Sequence, residues 1–257
     1  MSRLPSPCNG ARDAALDTVL PRVQISRSGD RVQHFIVVEG LIGVGKSTLC
    51  RLLSREWGMK TVLEPAETNP FLELFYRDPG RYSFPVQMFY LVTRWKQQQA
   101  IRQQELFESG VVSDYLFAKD RLFAEKTLDE TELELYDSFA AALGESTPKP
   151  DLLVYLEAPI DTVMERIHKR CAPGEEKISR EYIRDLSKRY DLLLDDWEAS
   201  PILRIDNANI DYAGNVHHQQ LVLDMIHAAL TGEPAPKAPS SNLEREAQPN
   251  LFGSGFY

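Results

Sequence analysis

The chain has 257 residues, of which 43% are hydrophobic and 26% charged, and a formal net charge of −9. This length allows one sizeable α/β domain, and the negative charge favours a small-molecule substrate over nucleic acid or a membrane surface. No apolar run approaches the roughly 20 residues that a membrane-spanning helix needs.

The three cysteines, Cys8, Cys50 and Cys171, lie far apart and form no CxxC pair. This spacing fits neither a disulfide framework nor a zinc site, and it favours a reducing, cytoplasmic setting. The first residues lack a continuous apolar stretch, so we expect neither a secretory signal nor a transit peptide.

The two ends of the chain differ in composition from its centre. Residues 1–31 contain several prolines and glycines and are predicted to be a flexible extension. Residues 231–257 are rich in Pro, Ser and Gly and are predicted to be a disordered tail. The remaining residues, 32–230, are predicted to form the folded domain.

Within this domain, short apolar runs alternate with helical patterns. The predicted strands are 34–39, 61–63, 110–113, 152–156 and 202–205. The predicted helices are 46–57, 83–108, 130–143, 159–170, 179–199 and 213–230. Such alternation predicts an α/β fold with a parallel five-stranded sheet covered by helices on both faces. Ligands of such sheets bind outside the carboxyl ends of the strands.

The first strand leads into a phosphate-loop signature, GxxxxGK[ST], which opens the first helix. Glycines let backbone N–H groups surround phosphate oxygens, and the helix amino terminus adds a positive dipole. The lysine can reach the β- and γ-phosphates, and the serine hydroxyl can ligate Mg²⁺. The predicted ATP-binding residues are Gly40, Leu41, Ile42, Gly43, Val44, Gly45, Lys46, Ser47 and Thr48.

Carboxylates follow the next two strands. Glu64 ends the second strand and Asp114 ends the third, so both are expected at the edge that carries the phosphate loop. A carboxylate there can take a proton from an attacking hydroxyl or hold Mg²⁺. Ser47 and Asp114 are therefore the predicted metal ligands, and Glu39, which precedes the loop, is a further candidate.

Five stretches of sequence resemble the deoxynucleoside kinases, which phosphorylate deoxycytidine, deoxyguanosine or deoxyadenosine, and the bacterial members above all. They are VEGLIGVGKST, LEP at 63–65, FYRDPGRYSFPVQMFYLVTR, SDYLFAKDRLFA and ERIHKRCAPGEEKIS. The resemblance implies a three-layer P-loop kinase fold with a helical lid near 166–178. It also implies transfer of the ATP γ-phosphate to the 5′-hydroxyl of a deoxynucleoside.

Roles for the acceptor site are also implied by the resemblance. Glu64 matches the general base, and Tyr76 and Glu175 match the pair that binds the 3′-hydroxyl. Gln87 matches the glutamine that reads the base edge. Arg94 and Asp120 match a pair near the base, and Phe123 matches a residue that stacks on it. Arg166 and Arg170 match the lid arginines, which act in catalysis with Lys46.

The sequence departs from the family pattern in two places. Many relatives have an acidic residue followed by Arg-Ser after the third strand, whereas this chain has Asp114, Tyr115 and Leu116. Lys119 is a candidate for the missing positive charge. A third lid arginine, expected near Ala172, is also absent.

The sequence therefore predicts an ATP- and Mg²⁺-dependent kinase of nucleotide salvage that prefers purine deoxynucleosides or deoxycytidine. The resemblance also implies a homodimer, for which the predicted helix 83–108 is the candidate interface. One alternative is a nucleoside monophosphate kinase of the thymidylate kinase type, which would favour Asp-Arg-Tyr after the third strand. The other is a relative that binds nucleotides without catalysis.

Overall fold

The computed structural model describes residues 34–63, 69–104, 110–171, 175, 178–234 and 236. All of the predicted extension and most of the predicted tail lie outside these residues. In chain order the elements are β1 (Phe35–Gly40), α1 (Lys46–Trp57), β2 (Lys60–Val62), α2 (Leu72–Arg77), α3 (Pro79–Gln104), β3 (Val111–Ser113), α4 (Asp120–Thr127), α5 (Glu130–Gly144), β4 (Leu152–Glu157), α6 (Ile160–Arg170), α7 (Arg180–Asp195), β5 (Ile202–Asp206) and α8 (Val216–Thr231). A 3₁₀ turn, Phe117–Lys119, precedes α4.

The five strands form one parallel sheet in the order β2-β3-β1-β4-β5. The central strand β1 sets the register: its Ile36 lies opposite Val112 of β3 and Leu152 of β4. All carboxyl ends therefore meet at one edge, where the phosphate loop, residue 114 and residue 207 leave the sheet. The predicted parallel five-stranded sheet is confirmed.

Successive residues of β1 point to opposite faces of the sheet, because side chains alternate along a strand. Ile36 and Val38 pack into a core shared with α1 and α8. Phe35 and Val37 pack into a second core shared with α3, α6 and α7. The predicted three-layer arrangement is therefore confirmed, and β1 is buried along its whole length.

The helices differ from the sequence prediction mainly at their ends. Helix α8 begins at Val216 rather than near residue 213, because Asn215 accepts hydrogen bonds from the backbone N–H groups of His217 and His218. Helix α3 begins at Pro79, since proline suits the first helical turn. Helices α2 and α4 were not predicted, because six and eight residues show little periodicity. Among the described helices, none is long and apolar enough to cross a membrane.

Candidate active site

The phosphate loop adopts a backbone that strongly favours glycine at three positions. Gly40, Gly43 and Gly45 have φ angles of 142°, 78° and 113°, which side-chain-bearing residues rarely adopt. A Cβ on Gly43 would lie 2.8 Å from Cγ1 of Ile167 in α6. The loop therefore packs closely against α6, and its conformation is set by both backbone freedom and the absence of side chains.

Three side chains hold the loop from outside. Arg166 donates from Nη1 to the carbonyl oxygen of Val44 at 3.1 Å and from Nη2 to that of Asn207 at 3.0 Å. The Asn207 amide also donates to the Val44 carbonyl. Tyr212 donates from its hydroxyl to the Gly45 carbonyl at 3.1 Å, and burial raises the pKa of this phenol, which keeps it a neutral donor.

The sequence did not single out Asn207 and Tyr212 for the site. Asn207 follows β5 directly, at the same sheet edge as the phosphate loop. The rule that ligands bind at the carboxyl ends of parallel strands was the signal that points to it. Arg166, predicted as a lid arginine, contacts the loop backbone here, and its role toward phosphate stays a prediction.

The two predicted metal ligands meet at the end of the loop. Ser47, in the first turn of α1, donates from Oγ to Asp114 Oδ2 at 2.6 Å. Lys46 Nζ donates to the carbonyl oxygens of Gly40 at 2.7 Å and Leu41 at 3.1 Å, which keeps the ammonium against the start of the loop. A hydroxyl and a carboxylate side by side are oxygen ligands of the kind that Mg²⁺ takes.

Cys50 lies in α1 close to the loop, but its thiol is not activated as a nucleophile. Its side chain is fully buried, and burial, followed by the nearby Asp114 carboxylate, raises the pKa of the thiol. A thiol that stays protonated is a poor nucleophile. The structure therefore offers no role for this cysteine in chemistry.

A second group of predicted residues lies between α3 and α4. Arg94 and Asp120 form a buried ion pair, and the Arg94 guanidinium lies 4.8 Å from the centre of the Tyr90 ring. Gln87, seven residues before Arg94 in α3, is buried and donates from Nε2 to Thr127 Oγ1 at 3.0 Å. Among the described residues, the second oxygen of Asp120, Oδ2, has no hydrogen-bond partner.

The remaining predicted residues are placed as follows. Arg170 and Glu175 form an ion pair, with Nε 3.0 Å from Oε2. Phe123 is partly buried and packs against the core beneath α6 and α7. Tyr76 lies in α2, but its side chain is outside the described part of the structure, as is the whole of Glu64. The helix α6 covers the first part of the predicted lid, and residues 172–174 and 176–177 also lie outside.

Substituting Gly43 with alanine tests the close packing of the loop. The matched control is Gly58→Ala. Gly58 has a similar φ of 67°, but no atom lies within 4 Å of the added Cβ. We expect Gly58→Ala to lower the free energy of unfolding by about 1–2 kcal/mol through backbone strain alone. Gly43→Ala should lose about 1–3 kcal/mol more through overpacking against Ile167. Urea unfolding measures both; equal losses would contradict the close contact.

Comparison with known proteins agrees with the geometry. The family model described as deoxynucleoside kinase matches residues 36–231. A deoxyguanosine kinase of Bacillus subtilis is 36% identical over 186 residues, which cover 70% of this chain and 90% of the relative. A deoxyadenosine/deoxycytidine kinase of the same organism is 32% identical over 205 residues, covering 76% and 92% of the two chains.

A solved structure shares the fold. Deoxyadenosine kinase from M. mycoides with bound dATP superimposes with a TM-score of 0.64 and 26% identity, over 75% of this chain and 99% of that chain. The same relative has also been solved with dCTP bound, at a TM-score of 0.63. The residues that match the family model, 36–231, include the phosphate loop and helices α3 and α4.

Proposed function

Because this chain belongs to the deoxynucleoside kinase family, we propose that it transfers the γ-phosphate of ATP to the 5′-hydroxyl of a deoxynucleoside. The observation that carries the proposal is the placement of residues 114–120. Asp114, at one end, accepts a hydrogen bond from Ser47 of the phosphate loop. Asp120, at the other end, pairs with Arg94 in the buried α3–α4 pocket. One short segment thus joins the phosphate-donor site to the buried polar cluster that we assign to the base.

On the donor side, the phosphate loop and Lys46 bind the β- and γ-phosphates of ATP. Ser47 and Asp114 present adjacent oxygens, 2.6 Å apart, and this donor set fits Mg²⁺. Bound there, Mg²⁺ would neutralise charge on the phosphates. Arg166 already fixes the loop carbonyl of Val44, so its contribution includes holding the loop in shape.

On the acceptor side, Glu64 takes the proton of the 5′-hydroxyl as general base. Gln87 and the Arg94–Asp120 pair bind the base. An aspartate and an arginine near the base suit a partner that carries an amino group, and adenine, guanine and cytosine each carry one. This favours purine deoxynucleosides or deoxycytidine over thymidine.

Tyr76 and Glu175 bind the 3′-hydroxyl in this proposal, and Phe123 stacks on the base.

Arg170 connects the lid to the sugar site in this proposal. Its guanidinium is paired with Glu175, the residue assigned to the 3′-hydroxyl. A guanidinium that holds a carboxylate in two-point geometry fixes its orientation. Binding of the sugar and closure of the lid arginines over the transferring phosphoryl group are therefore linked through this pair.

We also propose that the enzyme is a homodimer. The sequence assigned the interface to helix α3. In the described structure, the neighbouring helix α5 exposes Leu135 and Phe139, which are 49% and 46% accessible and lie one turn apart. Because α5 packs beside α3, an interface that covers both helices would bury these side chains. Sedimentation velocity, which measures the oligomeric state, tests this assignment on the double variant Leu135→Ser/Phe139→Ser.

The reaction class is tested by measuring ATP consumption with Mg²⁺ and each of the four deoxynucleosides or the four deoxynucleoside 5′-monophosphates. Turnover with a deoxynucleoside, and a 5′-monophosphate as product, supports the proposal. Turnover with monophosphates only would indicate a kinase of the thymidylate kinase type. Absence of turnover with every acceptor would indicate a relative that binds nucleotides without catalysis.

Removing the charge of Asp114 tests the assigned metal site. Asp114→Asn keeps an oxygen that can accept from Ser47 but weakens any cation site. We expect the Mg²⁺ concentration for half-maximal activity to rise by about 10-fold or more. Asp224→Asn, an exposed position on α8, is the matched control and should leave the Mg²⁺ requirement unchanged. An unchanged requirement in Asp114→Asn would remove Asp114 from the metal site.

A further inference from the structure

The carboxylate of Glu39 is the centre of a buried polar cluster at the start of the phosphate loop. Glu39 is only 1% exposed, although it carries a charge. Its Oε1 accepts from the backbone N–H of Leu116 at 2.7 Å, and its Oε2 accepts from the Tyr190 hydroxyl at 2.8 Å and the Gly40 N–H at 3.0 Å. Both oxygens therefore contact protein donors, which argues against Glu39 as a holder of Mg²⁺.

Lys119 supplies the opposite charge of this cluster. Its Nζ lies 3.0 Å from Glu39 Oε1, and its side chain is 4% exposed. A buried charge is tolerated when it is paired and hydrogen-bonded, and removal of one partner leaves the other uncompensated. The ammonium of Lys119 thus faces the protein side of the phosphate loop, in contact with the residue that precedes Gly40.

Residues 114–120 carry three charges that face three different neighbours. Asp114 faces Ser47, Lys119 faces Glu39, and Asp120 faces Arg94. Two of these contacts anchor the segment to the phosphate loop, and the third anchors it to the base pocket. The distance between donor and acceptor sites therefore depends on how firmly this segment is held.

Tyr115 stands where many relatives have an arginine, and it is fully buried rather than turned toward phosphate. Its hydroxyl lies 3.4 Å from the backbone oxygen of Arg94, and its ring lies 6.0 Å from the Arg94 guanidinium. Tyr115 therefore supports the base pocket. The cation of this segment that contacts the loop region is Lys119, four residues later.

We infer that Lys119 is a positioning residue: its buried ammonium, paired with Glu39, fixes Asp114 and the phosphate loop relative to the Arg94–Asp120 pocket. This inference rests on the proposed phosphoryl transfer. Misplacement of reacting groups by about 1 Å lowers rates strongly even when each substrate still binds. The expected signature of its loss is a lower kcat with smaller changes in the KM of ATP and of the deoxynucleoside.

The test compares Lys119→Met and Lys119→Arg with Lys126→Met, whose lysine lies on the surface and pairs with Asp185. Lys119→Met should lower kcat by about 10- to 100-fold, with each KM changed less, and Lys119→Arg should retain more of the kcat than methionine does. Lys126→Met should match the wild type. Thermal unfolding of each variant gives the folded fraction by which kcat is corrected.

The outcomes separate the inference from the proposed function. A corrected kcat for Lys119→Met within about twofold of the wild type would overturn the positioning role, as would a KM that rises by the same factor as kcat falls. If the wild type phosphorylates no deoxynucleoside, the proposed function fails. Mg²⁺-dependent binding of a non-hydrolysable ATP analogue, measured by calorimetry, then decides the role of Lys119. If Mg²⁺ raises the affinity for the analogue less in Lys119→Met than in the wild type, the link to Asp114 is supported, and an unchanged effect of Mg²⁺ refutes it.

Discussion

Glu64→Gln should lower kcat by about 10²- to 10⁴-fold, the contribution that a positioned general base makes. Glutamine is similar in size but cannot take the proton of the 5′-hydroxyl. The backbone before Glu64 is anchored, because the carbonyl of Val62 accepts from the Asp114 N–H at 3.4 Å and that of Leu63 accepts from Gln97 at 3.3 Å. Residue 64 therefore follows a backbone stretch held between the assigned metal site and α3.

Binding and turnover must be measured separately for this variant. Calorimetric titration with a non-hydrolysable ATP analogue should give an unchanged Kd, while steady-state turnover with the preferred deoxynucleoside falls. Glu134→Gln, at an exposed position on α5, is the matched control and should retain full kcat. A near-normal kcat in Glu64→Gln would remove this residue as the base.

Much of the fold follows from local sequence. The strands β1 and β4 are continuous apolar runs, as buried parallel strands require, and their boundaries were predicted within one residue. The phosphate loop could also be predicted from the sequence, because its signature combines glycines, a lysine and a serine at fixed spacing. The joining of Ser47 to Asp114 follows from the rule that carboxyl ends of parallel strands share an edge.

Contacts between distant parts of the chain could not be predicted from the sequence. Asn207 and Tyr212 hold the phosphate loop from more than 160 residues away, and no local pattern marks an asparagine or a tyrosine as a partner of a loop carbonyl. Lys119 posed a similar problem, because an isolated lysine in a sequence is expected at the surface. Only the fold, which buries Glu39 at the end of β1, explains its burial.

The Arg94–Asp120 pair should contribute to both stability and base choice. Its two side chains are 6% and 3% exposed, so Arg94→Met leaves a buried carboxylate without its cation. We expect the free energy of unfolding to fall by about 3–5 kcal/mol in Arg94→Met and by a similar amount in Asp120→Asn. The double variant Arg94→Met/Asp120→Asn should lose less than the sum, since no uncompensated charge remains.

The exposed pair Arg121–Asp137, whose side chains are 53% and 37% exposed, is the matched control. Breaking it should change stability by less than about 1 kcal/mol, since exposed pairs are screened by solvent. The double variant at the buried pair is the informative one for specificity, because it avoids the stranded charge. Its kcat/KM values for the four deoxynucleosides should be ranked differently from those of the wild type, with the preference for amino-bearing bases reduced. An unchanged ranking in this folded variant would show that the base binds elsewhere, since Asp120 would then make no contact that distinguishes one base from another.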